Sequence, residues 1–168
     1  EFRRVLFRSP DPTGSAEFYD AAIGWTSAPA GTSGDPYTIF SRDGRPAAGC
    51  MAIPPDAAAM GATACWTGYI AVDDLDAAAA KLSALGGTVM RPPADIPDVG
   101  RFSVVADPGG GVFILFKGIG DGPPGSQAIA WRELMAADGS AMFDFYAEVF
   151  GWTLAQTMDL GPMGLYRI

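Results

Sequence analysis

The phrase FYDAAIGWT at residues 18–26 returns as FYAEVFGWT at residues 145–153. Asp11, Phe18, Tyr19, Gly24, Trp25 and Thr26 recur as Asp138, Phe145, Tyr146, Gly151, Trp152 and Thr153, all at the single offset of 127. Solenoids and propellers repeat every ~20–50 residues, so a period this long predicts duplicated domains rather than stacked units. About 40 residues from the start of the second copy to Ile168 are too few to bury a core of the same kind, and more chain is expected beyond them.

The first nine residues, EFRRVLFRS, coincide residue for residue with the in-frame translation of the end of a common sequencing adapter. We therefore expect Glu1–Ser9 to be an assembly scar standing where natural sequence stood, the alternative being a genuine basic strand; functional argument starts after it. Resequencing the gene from a clone decides between them.

Apolar residues make up 49% of the chain and charged residues 18%. That balance suits a soluble globular protein, and no apolar run approaches the ~18 residues of a membrane helix. Eleven basic against nineteen acidic residues give a net charge of −8. Such a field repels phosphate backbones, so neither nucleic acid nor membrane is an expected partner. Cys50 and Cys65 are the only cysteines and histidine is absent; without metal-site spacing or an activating imidazole, buried free thiols in a reducing, cytoplasmic setting are expected.

Along the chain, Asp11 can cap a helix with Pro12 at its first position, and Gly24 can close it. Strands are expected at Tyr37–Arg42 and Arg45–Met51 through an Asp43-Gly44 turn, after another starting at Trp25. CWTGYIAV (65–72) alternates as a strand. DDLDAAAAKLSALGG (73–87) is a capped helix presenting Leu75, Ala78, Leu82 and Leu85 to a core. Strands follow at Thr88–Met90, Arg101–Ala106 and Val112–Phe116, the last two joined by DPGGG, a hairpin turn and not a phosphate loop because no helix follows it. Each half is thus strand, helix, three strands, with modules over about 10–54 and 64–117. A Gly/Pro linker (118–127) leads to 128–168, where AIAWRELMA (128–136) would be an opening strand, followed by a helix from Ser140 to Phe150 and a strand from Trp152.

The helix phrase ending in FY and GW, the VDDLDAAAAKLSALGG segment and the DPGGGVFILF hairpin resemble, in order and spacing, the vicinal oxygen chelate superfamily: glyoxalase I, extradiol dioxygenases and bleomycin-resistance proteins. WRELM and PPADIPDVGRF are similar to a two-domain bacterial glyoxalase-like subgroup. The resemblance implies an α+β fold in which paired βαβββ modules curl a mixed sheet into a cup, with a divalent metal at its base chelating two substrate oxygens.

That metal needs donors from cup-facing strands. The superfamily's opening-strand His or Gln sits seven residues before the helix-capping aspartate, which places Thr67 there, and Trp131 by the same count from Asp138. Its Glu falls at Ile114; the matching strand of the first module offers only Ala48 and Cys50 nearby. None supplies the imidazole usual for zinc or iron, so no metal cofactor is expected in the part present. Asp73, Asp74 and Asp76 fit helix-start charges better than an oxygen-only site.

Alternation puts Thr67, Tyr69 and Ala71 on one face with Val112, Ile114 and Phe116. This predicts an apolar, aromatic cup in which the hydroxyls of Thr67 and Tyr69 orient a small hydrophobic or aromatic guest, as the bleomycin-resistance branch traps its ligands; the same side chains could simply pack on one another. Arg101 could reach an anionic guest at the rim or be a paired surface charge. Glu133 could act as acid or base in a second cup, or be a strand-edge carboxylate. The rival expectations are a metal-dependent lyase or dioxygenase whose ligands lie in missing segments, and a scaffold for pairing with a second domain of the chain or in a homodimer.

Overall fold

The computed structural model describes residues 2–30, 36–120 and 133–168. Its centre is one curled, unclosed eight-stranded mixed sheet. The first module is β1 (Phe2–Ser9), α1 (Pro12–Ile23), β2 (Thr26–Pro29), β3 (Tyr37–Arg42) and β4 (Arg45–Ala52). After the short α2 (Pro55–Ala59) come β5 (Cys65–Ala71), α3 (Leu75–Ala84), β6 (Thr88–Ile96), β7 (Gly100–Ala106) and β8 (Val112–Gly118). The strand order β2-β3-β4-β1-β5-β8-β7-β6 repeats one four-strand pattern about the antiparallel β1/β5 seam, with β1 parallel to β4 and β5 parallel to β8. This is the α+β, paired βαβββ architecture expected. Residues 2–9, whatever their origin, take the place of the opening strand.

Local chemistry fixes the elements. The Asp11 carboxylate accepts from the Gly14 amide at the start of α1, and Gly24 ends that helix at φ 70°. Asp74 caps α3 through the Ala77 amide. Asp43 and Gly44 both hold positive φ, 51° and 71°, as the tight β3–β4 hairpin requires. β6 runs to Ile96, past the expected end at Met90. Pro92 and Pro93 are tolerated because β6 is an edge strand, and its register against β7 shifts between Val89 and Arg91 and again before Ala94.

Hydrophobic burial divides the sheet into two faces. One is covered by helices: Val5, Trp25, Phe40, Ala48 and Cys50 pack with Tyr19 of α1, and Ile70, Val105, Phe113 and Leu115 pack under Leu75, Ala79 and Leu82 of α3. Leu85 is exposed, because α3 stops at Ala84 and the chain turns through Gly86 at φ 90°. Leu6, Val104 and Ile114 lie on the other face, which is the inside of the cup. Each such buried aliphatic side chain stabilises the fold by about 1.5–3 kcal/mol.

The later copy of the repeated phrase forms α4 (Gly139–Phe150), which carries the same signals as α1: Asp138 accepts from the Ser140 and Ala141 amides, and Gly151 closes at φ 70°. Phe145 is buried against the α3 side of the sheet. Of the expected strand 128–136, residues 128–132, with Trp131, lie outside the described residues, and 133–136 pair with no strand. Trp152 likewise starts no strand: extended pairing resumes only in the small hairpin of β9 (Thr157–Asp159) and β10 (Leu165–Arg167), where each strand finds a partner.

Candidate functional site: the cup

Cross-strand register assembles the cup floor. Leu6 pairs with Thr67, Tyr69 with Ile114, Ile114 with Val104, and Phe102 with Phe116. The four expected residues Thr67, Tyr69, Ile114 and Phe116 therefore share one surface. The Tyr69 and Phe116 rings meet edge to face at 5.6 Å. Thr67 is 2% exposed and Ile114 1%. Half-buried Tyr37, Met51 and Phe102 complete the wall. Alternation within β3, β4 and β7 carried the signal for these last three, which the sequence reading passed over.

Polar groups are few. The Thr67 hydroxyl lies 3.7 Å from the Cys65 sulfur, and Cys65 is an exposed free thiol. The expectation of two buried thiols thus holds only for Cys50, whose pKa burial raises; Cys65 opens the strand, where the sheet ends. On the same face Arg8 has its Nε buried without a hydrogen-bond partner. At the rim the Arg91 guanidinium stands 5.0 Å over the Phe102 ring.

The places a metal would need are filled otherwise. Thr67 and Ile114 do face the cup, but Ala48 and Cys50 point to the helix side and are buried with Phe40. The cup-facing neighbour between them is Gly49, and any side chain there would run into the phenol of Tyr37. A hydroxyl, an aliphatic chain and a ring covering a glycine are not a donor set for a transition ion. Among the described residues no three His, Cys, Asp or Glu side chains converge.

Two expected residues stand apart. Arg101 alternates with Phe102 and points to the helix side, where Nε and Nη2 hold the Asp76 carboxylate at 3.2 and 3.1 Å and Nη1 holds Asp95 at 2.9 Å. These hydrogen bonds raise its pKa. It ties the start of α3 to β6 and β7, which is the paired-charge alternative rather than a cup rim. Glu133 lines a concavity on the helix side of the sheet, away from the cup, and accepts a 2.7 Å bond from the Tyr166 hydroxyl. The DPGGG turn, as expected, is a hairpin: Asp107 accepts from the Gly109 and Gly111 amides at 2.9 and 2.8 Å. Its second oxygen accepts from the Tyr146 hydroxyl of α4 at 2.9 Å. Burial first, and then the Asp107 charge, push the Tyr146 phenol above its ordinary value.

A family model described as a glyoxalase-like domain matches residues 4–116. The chain belongs to this glyoxalase-like family. The anthracycline biosynthesis protein DnrV of Streptomyces peucetius is 35% identical over 166 residues, covering 89% of this chain and 60% of DnrV. The chain thus spans about 60% of the length of that curated relative. Among solved structures, the Mn(II)-bound glyoxalase of Novosphingobium aromaticivorans superposes with a TM-score of 0.61 at 18% identity, over 92% of this chain and 53% of that one. Methylmalonyl-CoA epimerase of Mycobacterium tuberculosis gives 0.53 at 17%, over 70% and 87%. At these identities the structures share the fold of the glyoxalase-like domain and do not carry its chemistry. No helix among the described residues is long and apolar enough to cross a membrane.

Proposed function

We propose that the glyoxalase-like domain holds a small hydrophobic or aromatic molecule in its cup without a transition metal. One observation supports this reading: at Thr67 and Ile114, where the resemblance implies donors, the cup presents a hydroxyl and an aliphatic chain, and on the first-module strand Ala48 and Cys50 turn to the helix side while Gly49 between them is covered by the Tyr37 ring. An apolar surface edged by the half-buried Tyr37, Tyr69 and Phe102 suits a flat guest, oriented by the Tyr69 hydroxyl and resting on the Phe102 and Phe116 rings, with buried Thr67 and Ile114 as the floor beneath. Leu6 of β1, within Glu1–Ser9, completes the floor, while the rings and hydroxyl that would meet the guest come from β3, β5, β7 and β8. DnrV's name ties that relative to the making of an aromatic polycycle, which supports an aromatic guest here. Binding or sequestration needs only the cavity, and two free cysteines favour a cytoplasmic setting.

A second reading has its own support. The match to DnrV leaves 40% of that relative uncovered, and a lyase or dioxygenase metal site could be supplied by such a region. The deciding experiment is isothermal titration with a panel of polycyclic aromatics, comparing the wild-type chain with Tyr69→Ala and Phe116→Ala. Cup binding predicts at least tenfold weaker affinity in each variant. Equal affinity in all three, or no heat with any compound, removes it.

A further inference from the structure

A second concavity lies on the opposite face of the sheet, between the two copies of the repeated phrase. It has a volume of ≈ 920 Å³. Its floor is the helix side of the seam, Val5, Gly68, Ile70 and Phe113. Its walls carry rings from both copies: Tyr19 and Trp25 with Trp66 on one side, Phe143, Tyr146 and Trp152 on the other. The two copies present one motif, Tyr19 stacked on Trp25 at 5.7 Å and Tyr146 stacked on Trp152 at 5.8 Å. Trp66 braces the first by donating from its indole nitrogen to the Tyr19 hydroxyl at 3.1 Å.

Three observations point to a missing occupant. Ile23, Trp66, Leu134, Leu165 and Ile168 line this cleft, as does Val112, which at the start of β8 borders it rather than joining Ile114 and Phe116 in the cup as alternation implied; all are between 40% and 56% exposed. Concentrating that much large apolar surface at one wet concavity is unfavourable unless something covers it. Trp25, itself 4% exposed, has its indole N–H buried without a partner in the wall; an unanswered donor of this kind costs about 1–3 kcal/mol. Among the described residues only Glu133 and Arg167 bring charge to the lining, and Glu133 is already engaged by Tyr166.

We propose that this cleft is a ligand site distinct from the cup, built by the two Tyr-Trp stacks to take one planar, uncharged or singly charged aromatic molecule. The volume lies within the ~300–1,000 Å³ of small-molecule pockets. A protein partner would instead present roughly 800 Å² per side, spread over a flatter surface. Rings on both walls favour a flat guest, which gains stacking and edge contacts beyond simple burial. The Glu133–Tyr166 pair and Arg167 at the edge would meet a polar substituent.

The two faces can be told apart because Trp25, Trp66 and Trp152 all line the cleft while the described residues of the cup include no tryptophan; Trp131, outside the described residues, gives a fourth signal that its own Trp→Phe variant sets aside. The test is ¹⁹F NMR of the full chain labelled with 5-fluorotryptophan, its resonances assigned by single Trp→Phe variants and titrated with anthraquinone-2-sulfonate. The cleft predicts saturable shifts of the Trp25, Trp66 and Trp152 signals at one equivalent of probe. Val112→Phe fills the space from an exposed position, and Leu134→Lys places a charge there; each should weaken the response at least tenfold while leaving the far-UV spectrum unchanged. The proposal is overturned by no shift at millimolar probe, by unchanged affinity in both variants, or by shifts that follow protein concentration without probe, which would make a second copy the occupant. The same titration followed in a methyl spectrum of the isotope-labelled chain separates the two faces: probe shifts at the Ile114 methyl with none at the tryptophans overturn the cleft and sustain the cup, and shifts confined to the three tryptophans do the reverse.

Discussion

Replacing Tyr146 by Phe tests whether α4 is held where the structure places it. The phenol donates to Asp107 at 2.9 Å, and Asp107 is 4% exposed, so water has little access to replace the lost donor. A hydrogen bond to a charged acceptor contributes about 1.5–3 kcal/mol. Asp107 keeps the Gly109 and Gly111 amides in the variant, and the stacked Trp152 ring is untouched, so the expected loss is the lower part of that range, about 1.5–2 kcal/mol. Asp107→Ala strands three donors together and should cost about 3 kcal/mol or more. Urea unfolding measures both, and hydrogen exchange should show faster opening of α4 in Tyr146→Phe while β7 and β8 stay protected.

The same bond gives a pH signature with a definite sign. The folded state holds the Tyr146 proton above the ordinary phenol value of 10.0, through burial and then the Asp107 charge. Its contribution is fully present below about pH 10 and is lost as the pH rises beyond it, where the unfolded chain ionises first. Tyr146→Phe should therefore flatten the alkaline fall in stability. If Tyr146→Phe matches the wild type within about 0.3 kcal/mol at neutral pH and keeps the same alkaline slope, α4 does not dock through Asp107 and the reasoning fails.

Further expectations concern the sheet. Ile114→Asp puts a carboxylate into a floor position only 1% exposed; it should destabilise the domain by about 3 kcal/mol or more at neutral pH, with recovery at low pH as the acid protonates, read from urea midpoints at both. Gly49→Ala meets the Tyr37 phenol and should cost about 1–3 kcal/mol; adding Tyr37→Ala should restore part of it, and strict additivity in the double-mutant cycle would show that the two do not touch. Arg101→Ala should leave aromatic binding unchanged and lower the melting temperature slightly, more at low salt than at high, because its partners Asp76 and Asp95 are surface carboxylates. A large loss of ligand affinity in that variant would restore Arg101 to the site.

Much of this fold is written in local signals. Asp11 and Asp74 as caps, Gly24 as a left-handed stop and Asp43-Gly44 as a hairpin are each decided by a few neighbouring atoms, and the structure shows all of them. Alternation alone brought Thr67, Tyr69, Ile114 and Phe116 to one face, because a strand's period leaves no freedom once its neighbours are paired. What was not legible depends on long-range register. That Tyr37 covers Gly49 follows from how β3 and β4 shift between Phe40 and Ser41. Pro92 and Pro93 mark the end of a strand only if it is central, and edge position is a property of the whole sheet. Arg101's choice of Asp76, 25 residues away, is likewise fixed by where α3 lies. Leu85 carried the right spacing for the core yet falls one residue past the helix.

The central claim is that the cup offers an apolar receptor surface where the superfamily's metal is expected. Its most direct test is a Mn²⁺ titration of the isotope-labelled chain, followed by the methyl and amide signals of Thr67, Val104 and Ile114. The account predicts that these signals stay sharp at equimolar Mn²⁺ and shift instead with an aromatic guest. Selective broadening of Thr67 and Ile114 by stoichiometric Mn²⁺ would contradict it.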